Sequence, residues 1–553
     1  MLGFRGLDFR AASYRGAAAL LVLGAVAAGC GKSTASAPRL SVPSDSGTAG
    51  EPVTDGGAPA APDGQGGAPS VAGSSATGGV DTEAGAADPG QPAVAGTAGS
   101  APQAPPALTL RSISISQTHE LPLMEAGAVV ATEQRPAPLV AGKRAMVRAF
   151  VDVEPGFEKR PLIGVLDLKT QQVTRTLVSR LTLGQSSLQD DLTTSFDFSV
   201  DARDLSASST YRVRVLEEDT TPLARFPSEG YLEIDAKPLA PLELVLVPFI
   251  SGGFAPTTGD EEIAALERRL LQLYPSTDVE VSLLPPVTLG YVVNGAGDGW
   301  DDALDEIYTQ RAAAAPPRNV FYFGMLAPDA SYSSYCADEC ILGYSNIADA
   351  DDVDSRGSIG VTVFPDGSGT KDAWDTVAHE LGHALGRDHA PCGLKDPDPS
   401  YPYSGAGMGG IYGFDFEQMR LIKPKQYRDV MSYCAPIWIS NYTYSGIFER
   451  LDYIGHEAFR TLSLGPSELF RLARIRRTGE SLWLGDRKRH GSATPQVVDL
   501  LDSAGQRVGS VVGQIVHVDH APGGYVWLPL QQLQQSGAAG VDLRPLGGSV
   551  LPL

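Results

Sequence analysis

The hydrophobic pattern changes character along the chain. From Leu108 to about Lys237, short runs alternate apolar and polar side chains, as in LTLRSISIS, KRAMVRAFVDV, IGVLDL, TSFDFSV and TYRVRVLE, with Gly, Pro, Asp and Ser clusters between them. A period of two sends successive side chains to opposite faces of a strand, so residues 108–237 are expected to form a β-sandwich. From Pro241 the runs change: LELVLVPFI and NVFYFGML are continuously apolar, as buried strands are. TTGDEEIAALERRLLQLYP places Ile263, Leu266, Leu270 and Leu273 on one helical face, and DDALDEIYTQRAAAA is also helical in pattern. Thr258 and Glu261 have the spacing of a capping box, and SRGSIGVTVFP reads equally as an edge strand or an interior one. Residues 238–463 are thus expected to be an α/β (α+β) domain. After Leu464 short β-like runs return (LFRLARI, VVDLLD, QIVHVD, GYVWLPL), predicting a small C-terminal β domain over 464–553.

Ahead of the sandwich the pattern lapses. Arg5, Arg10 and Arg15 precede the run GAAALLVLGAVAAG, which falls short of the roughly 20 apolar residues of a permanent span and reads as a signal peptide over 1–29. Ala27-Ala28-Gly29-Cys30 resembles the lipobox of bacterial lipoproteins, which implies acylation of Cys30 and an exported, lipid-anchored envelope protein; simple secretion after ordinary cleavage is the alternative. Residues 30–107 are Gly, Ala, Pro and Ser with few large apolar side chains, and cannot offset the entropy of ordering. A tether of about 77 such residues spans on the order of 50 Å.

Charge narrows the partners. With 65 acidic against 43 basic residues the formal net charge is −22, which repels phosphate backbones and anionic lipid surfaces. Nucleic acid is excluded as a natural partner, and membrane contact is expected only through the N-terminal anchor. Oligomeric state is not legible. Beyond Cys30 the chain has Cys336, Cys340, Cys392 and Cys434, an even number for which export permits disulfides.

The segment TKDAWDTVAHELGHALGRDHAPCG concentrates the chemistry, since three of the chain's eight His lie between 379 and 389. On a helix His379 and His383 are separated by about 40° and can share one ion, with Glu380 to the side. Trp374, Val377, Leu381, Ala384 and Leu385 form the opposite, buried face, and Thr370 is the expected N-cap. Gly386 lets the chain leave the helix so that His389 can return toward the first two imidazoles. Three imidazoles and an open position are the donor set of a catalytic Zn2+, with Glu380 as the base that takes a proton from water and delivers it to the departing amine.

HELGHALGRDH is similar to the zinc-binding consensus of the metzincin metallopeptidases, and DVMSYC is similar to their Met-turn. The resemblance implies a metzincin-like catalytic domain over 238–463 with His379, His383 and His389 as metal ligands, Met431 as an apolar floor and Tyr433 as an oxyanion partner or further ligand. It also brings Cys392 near Cys434, favouring the pairs Cys392–Cys434 and Cys336–Cys340 over free thiols or other pairings. APCG, YPYSGAGMGGIYGFD and WISNYTY are similar to exported bacterial metzincins, some of which cut O-glycosylated proteins.

Weaker signals have plainer readings. Asp349, Asp351, Asp352 and Asp354 offer oxygen ligands of the kind Ca2+ uses, but lack the Gly and terminal Glu of an EF-hand, so a solvated acidic loop is expected. Arg474, Arg476 and Arg477, with Arg487, Lys488 and Arg489, read as a solvated basic face. His517-Val518-Asp519-His520 lies in a strand that would point its two His to opposite faces, so no second metal site is expected there. The sandwich, with His119 and no Cys, is expected to be accessory. The whole reads as a multidomain zinc endopeptidase acting on extracellular or envelope proteins, glycoproteins among them; the alternative is a metal-binding surface adhesin with little or no activity.

Overall fold

Strand Val320–Leu326 is buried throughout, and its alternate residues enter different cores. Phe321, Phe323 and Met325 pack with Leu244, Leu270 and Leu381, whereas Tyr322 and Leu326 pack with Phe249, Ile307 and Trp527. That is why the run carries no polar residue: both faces of the sheet are covered. In this computed structural model the central sheet has the order Val279–Leu283, Leu242–Ile250, Val320–Leu326, Gly357–Val361 and Gly343–Ser345, with Val287–Thr288 pairing off the main path. The first four strands are parallel and Gly343–Ser345 is antiparallel at the edge. SRGSIGVTVFP therefore supplies an interior strand, and the edge comes from the chain just before it.

Helices Asp260–Leu273, Thr370–Ala384 and Asn441–Phe459 lie on the first core, and helix Trp300–Ala314 lies on the second. Burial of each large apolar side chain contributes about 1.5–3 kcal/mol, so each face is a substantial part of the fold's stability. Two helix starts differ from expectation. Gly259, not Thr258, is the N-cap of the first helix, and Glu262 is the acid that folds back over it. Gly369, at φ 81°, is the N-cap of the second, which puts Thr370 already inside the first turn.

Residues 108–237 form two antiparallel sheets. One runs Ala128–Val129, Glu120–Glu125, Leu108–Ser116, Ala145–Val153, Phe196–Val200; the other runs Ala224–Phe226, Thr210–Leu216, Arg160–Lys169, Thr174–Leu183. Val147, Phe196, Leu166 and Val213 meet between them, and this core is continuous with that of the central domain. Buried Lys143 donates to the carbonyls of Leu271 and Tyr274, placing a cation at the C-terminal end of helix Asp260–Leu273. His119 bonds the Ile439 carbonyl at 2.8 Å.

The C-terminal region is a seven-stranded antiparallel sheet, nearly a barrel, whose outer strands Ser481–Lys488 and Val550–Pro552 approach where Trp483 Nε1–H donates to Pro552 O at 2.7 Å. It docks on the central domain through charges that the sequence suggested were solvated. Arg474 is fully buried against Asp301 and Asp305, and Arg489 is buried against Asp352 at 3.1 Å. Arg489 thus meets Asp352 of the acidic loop and Arg474 meets Asp301 and Asp305 of helix Trp300–Ala314, since buried charges persist only when paired, while Asp349 is exposed as expected.

The structure describes residues 108–553 apart from 172, 219–221, 338–339, 460–467, 490, 492 and 520–522. The expected signal peptide over 1–29, Cys30, the expected tether and His520 lie outside the described residues. Among the described residues no helix is long and apolar enough to cross a membrane.

Candidate metal centre

Helix Thr370–Ala384 presents His379, Glu380 and His383, while Trp374, Val377, Leu381 and Ala384 are buried in the core. Gly386 takes φ 78°, the left-handed conformation that turns the chain out of the helix and brings His389 back. Gly382, between His379 and His383, leaves room for the buried Met431, whose sulfur lies where a side chain on Gly382 would be. The turn around Met431 is set by Asp429, which is closed to solvent and accepts from the N–H groups of Met431 (2.7 Å) and Ser440 (2.8 Å). Ala390 N–H then donates to Met431 O at 2.8 Å, fixing the His389 segment to that turn.

The imidazoles converge. Ring centroids lie 4.8 Å apart for His379 and His383, 4.6 Å for His383 and His389, and 5.2 Å for His379 and His389. His379 Nδ1 is 2.7 Å from Val430 O and His383 Nδ1 is 2.6 Å from Arg387 O. A carbonyl can only accept, so both Nδ1 atoms carry the proton and both Nε2 atoms present lone pairs in the neutral ring. Those Nε2 atoms face each other at 3.1 Å.

A residue from outside residues 238–463 joins them. Asp519, in the C-terminal region, places Oδ2 at 3.0 Å from His383 Nε2 and Oδ1 at 3.3 Å from His389 Nδ1, and one ligand atom from each of these four residues lies within 4.8 Å of every other. The run His517–His520 was not expected to bind metal. His517 is exposed and lies outside the converging group, but the Asp between the two His belongs to it. Only the long-range strand pairing could have revealed this.

Burial and neighbouring charge shift His379, His383, Asp519 and Glu380. Burial brings His379 down to about 3, with His383 and His389 adding to the effect. His383 suffers the same burial, but Asp519 outweighs it and lifts the ring to about 9. Burial would raise Asp519, yet His383 and His389 hold it well below the usual carboxylate range. Burial pushes Glu380 well above its ordinary value against the pull of His383, and Asp519 adds to the rise. The converging N and O atoms of His379, His383, His389 and Asp519 are a donor set compatible with one divalent ion such as zinc.

A cleft of about 910 Å³ opens onto His379, Glu380 and Tyr433, and runs past Ile341, Gly343 and Arg477. Glu380 Oε2 is buried with no hydrogen-bond partner among the described residues, and the carboxylate rests over Gly343 of the edge strand. Tyr433 is half exposed, its ring 5.0 Å from His389 and 5.9 Å from His379. Cys392 is bonded to Cys434, tying the chain after His389 to the Tyr433 loop, and Cys336 to Cys340 beside the edge strand.

Comparison with curated proteins gives no match. Residues 354–435 match the model of a family described as Peptidase M66. That stretch contains His379, Glu380, His383, His389, Met431 and Tyr433 and ends well before Asp519. With the His-and-Asp group, the match supports a metallopeptidase.

Proposed function

We propose that the chain is a zinc-dependent endopeptidase of metzincin type, exported and held at the cell envelope through Cys30, that cuts extracellular or envelope proteins, glycoproteins among them. The observation that carries the reading is the pair of Nε2 atoms facing each other at 3.1 Å, each ring held by its Nδ1 against a carbonyl, with Glu380 adjacent on the cleft wall. His379, His383 and His389 would hold the ion, whose Lewis acidity polarises a peptide carbonyl and acidifies water.

The rest is done by the chain. Val430 O and Arg387 O take the Nδ1 protons of the two imidazoles, which turns their Nε2 atoms toward the centre. Glu380, facing the cleft, takes a proton from water and returns it to the leaving amine, a contribution of about 10²- to 10⁴-fold. Tyr433, on the same wall, is positioned to donate toward the developing oxyanion. Ile341, Leu342 and Gly343, leading into the edge strand, border the cleft with main chain that an extended peptide can pair with.

The test is elemental analysis of the folded, unchelated ectodomain, with cleavage of unfolded and glycosylated proteins measured with and without chelator and for Glu380→Ala. Stoichiometric zinc with chelator-sensitive cleavage lost in Glu380→Ala is expected. Absence of a stoichiometric transition metal would overturn the reading, and identical cleavage patterns in all arms would favour an adhesin.

A further inference from the structure

We propose that Asp519 is a fourth protein ligand of the metal, delivered by the C-terminal near-barrel, so that the folded chain carries a capped centre whose reaction position is filled by its own carboxylate. The inference rests on the zinc reading above and adds how that site is held and released.

His383 decides between two roles for the carboxylate. A buried Asp beside a metal-binding His ordinarily accepts the proton of the ring nitrogen that faces away from the ion. Oδ1, 3.3 Å from His389 Nδ1, is compatible with that duty. Oδ2 is not. His383 already spends its Nδ1–H on Arg387 O, so Nε2 is its metal-facing nitrogen, and Oδ2 lies 3.0 Å from it. With zinc bonds of about 2.0–2.1 Å, tetrahedral ligand atoms sit about 3.3 Å apart, so an oxygen at this distance from the nitrogen that faces the ion is within reach of the same ion. His379 Nε2, 3.1 Å from His383 Nε2, sits on the same polyhedron.

The carboxylate is placed by a built contact. Asp519 N–H donates to Ser345 O at 2.7 Å, Ile347 N–H donates to His517 O at 3.1 Å, and Asn346 and Val518 form an antiparallel bridge between them. The segment therefore extends the edge strand that flanks the cleft. Behind it, the buried pairs Arg489–Asp352 and Arg474–Asp301 fix the near-barrel to the central domain. Asp519 itself is only 5 % exposed, so bulk water does not compete for it. An open centre requires this segment to withdraw, or the carboxylate to swing off the ion when a peptide carbonyl enters.

Capping and orienting predict opposite signs. Loss of an orienting carboxylate weakens both metal binding and cleavage; loss of a cap weakens metal binding and raises cleavage. The experiment uses the full ectodomain, with Asp519→Asn and Asp519→Ala compared with wild type after loading with Co2+. Three quantities are read: visible absorption, dissociation constant by chelator competition, and cleavage of an unfolded protein. Expected for both variants are metal affinity at least about tenfold weaker, a cobalt spectrum that responds to added azide where wild type does not, and faster cleavage. Unchanged affinity and an unchanged spectrum in the variants, or weakened affinity with slower cleavage, would overturn the cap while leaving the three-His centre standing. Failure of wild type to bind Co2+ stoichiometrically would instead overturn the metal reading itself. Asp519→Asn preserves volume, so one variant remains readable if Asp519→Ala unfolds.

Discussion

Gly343 lies directly beneath the Glu380 carboxylate: a Cβ on Gly343 would overlap Oε1, Cδ and Cγ of that side chain. The edge strand thus positions the proposed base by having no side chain at this residue. Gly343→Ala should displace the carboxylate while leaving the imidazoles in place, and displacements near 1 Å can cost about 100-fold in rate. The expected result is a large fall in kcat with metal content unchanged by elemental analysis. Unaltered kcat would show that Glu380 is not held by this contact.

Glu380→Gln keeps shape and removes basicity. Hydrolysis should fall by about 10²- to 10⁴-fold, with zinc retained because Glu380 is not among the converging donors. A variant that still cleaves at the wild-type rate would remove Glu380 from the chemistry.

Arg489 and Asp352 are both buried and 3.1 Å apart. Removing one partner of such a pair strands the other charge at a cost of about 3–5 kcal/mol. Arg489→Ala should lower the denaturant midpoint substantially, and Arg489→Met with Asp352→Asn should recover part of the loss. Equal midpoints for Arg489→Ala and wild type would show that the near-barrel does not depend on this pair.

His119 gives an acid-side pH dependence away from the metal. Burial holds it down to about 4, opposed by its bond to Ile439 O and aided by Lys143. Above pH 6.5 the ring is neutral in both states and nothing is lost. Between about 6.5 and about 4 the unfolded chain binds a proton that the native state refuses, so stability falls with pH by about 3 kcal/mol in total. Denaturant unfolding at several pH values should show a shallower acid slope for His119→Gln. Parallel slopes would refute it.

The Cys392–Cys434 bond closes a loop with a sequence separation of 42. A loop of that length constrains the unfolded state by about 4 kcal/mol on the chain-entropy account. Cys392→Ser with Cys434→Ser should lower stability on that scale and loosen zinc in chelator competition, because the bond joins the His389 segment to the Tyr433 loop. Unchanged zinc affinity would show that the bond is not needed to hold His389.

Much of the centre was legible because it is local. His379, Glu380, His383 and the turn at Gly386 lie within a few helical turns, where spacing maps directly onto geometry. The continuous apolar run at Val320–Leu326 announced a strand covered on both faces, though not by what. Asp519 was not legible, since its part depends on which strand the His517–Asp519 segment pairs with, a contact between distant stretches of chain. Arg474, Arg489 and Asp352 misled for the same reason: charge runs look solvated until the opposite run is brought against them. The helix starts failed on one-residue offsets, because Gly259 and Gly369 turn the chain where a polar side chain was expected to cap it.

The two-sided covering of the central sheet has a practical corollary. Cutting out residues 238–463 would strip Trp527 and its neighbours from Tyr322 and Ile307 on one face, and the support of the 108–237 sheets from the other. Such a fragment would present broad greasy surfaces to solvent and precipitate or self-associate. The stretch shared with Peptidase M66, 354–435, is shorter still and includes neither the Leu242–Ile250 nor the Val320–Leu326 strand. Anyone seeking a minimal working enzyme should therefore trim only ahead of Leu108 and keep everything after it.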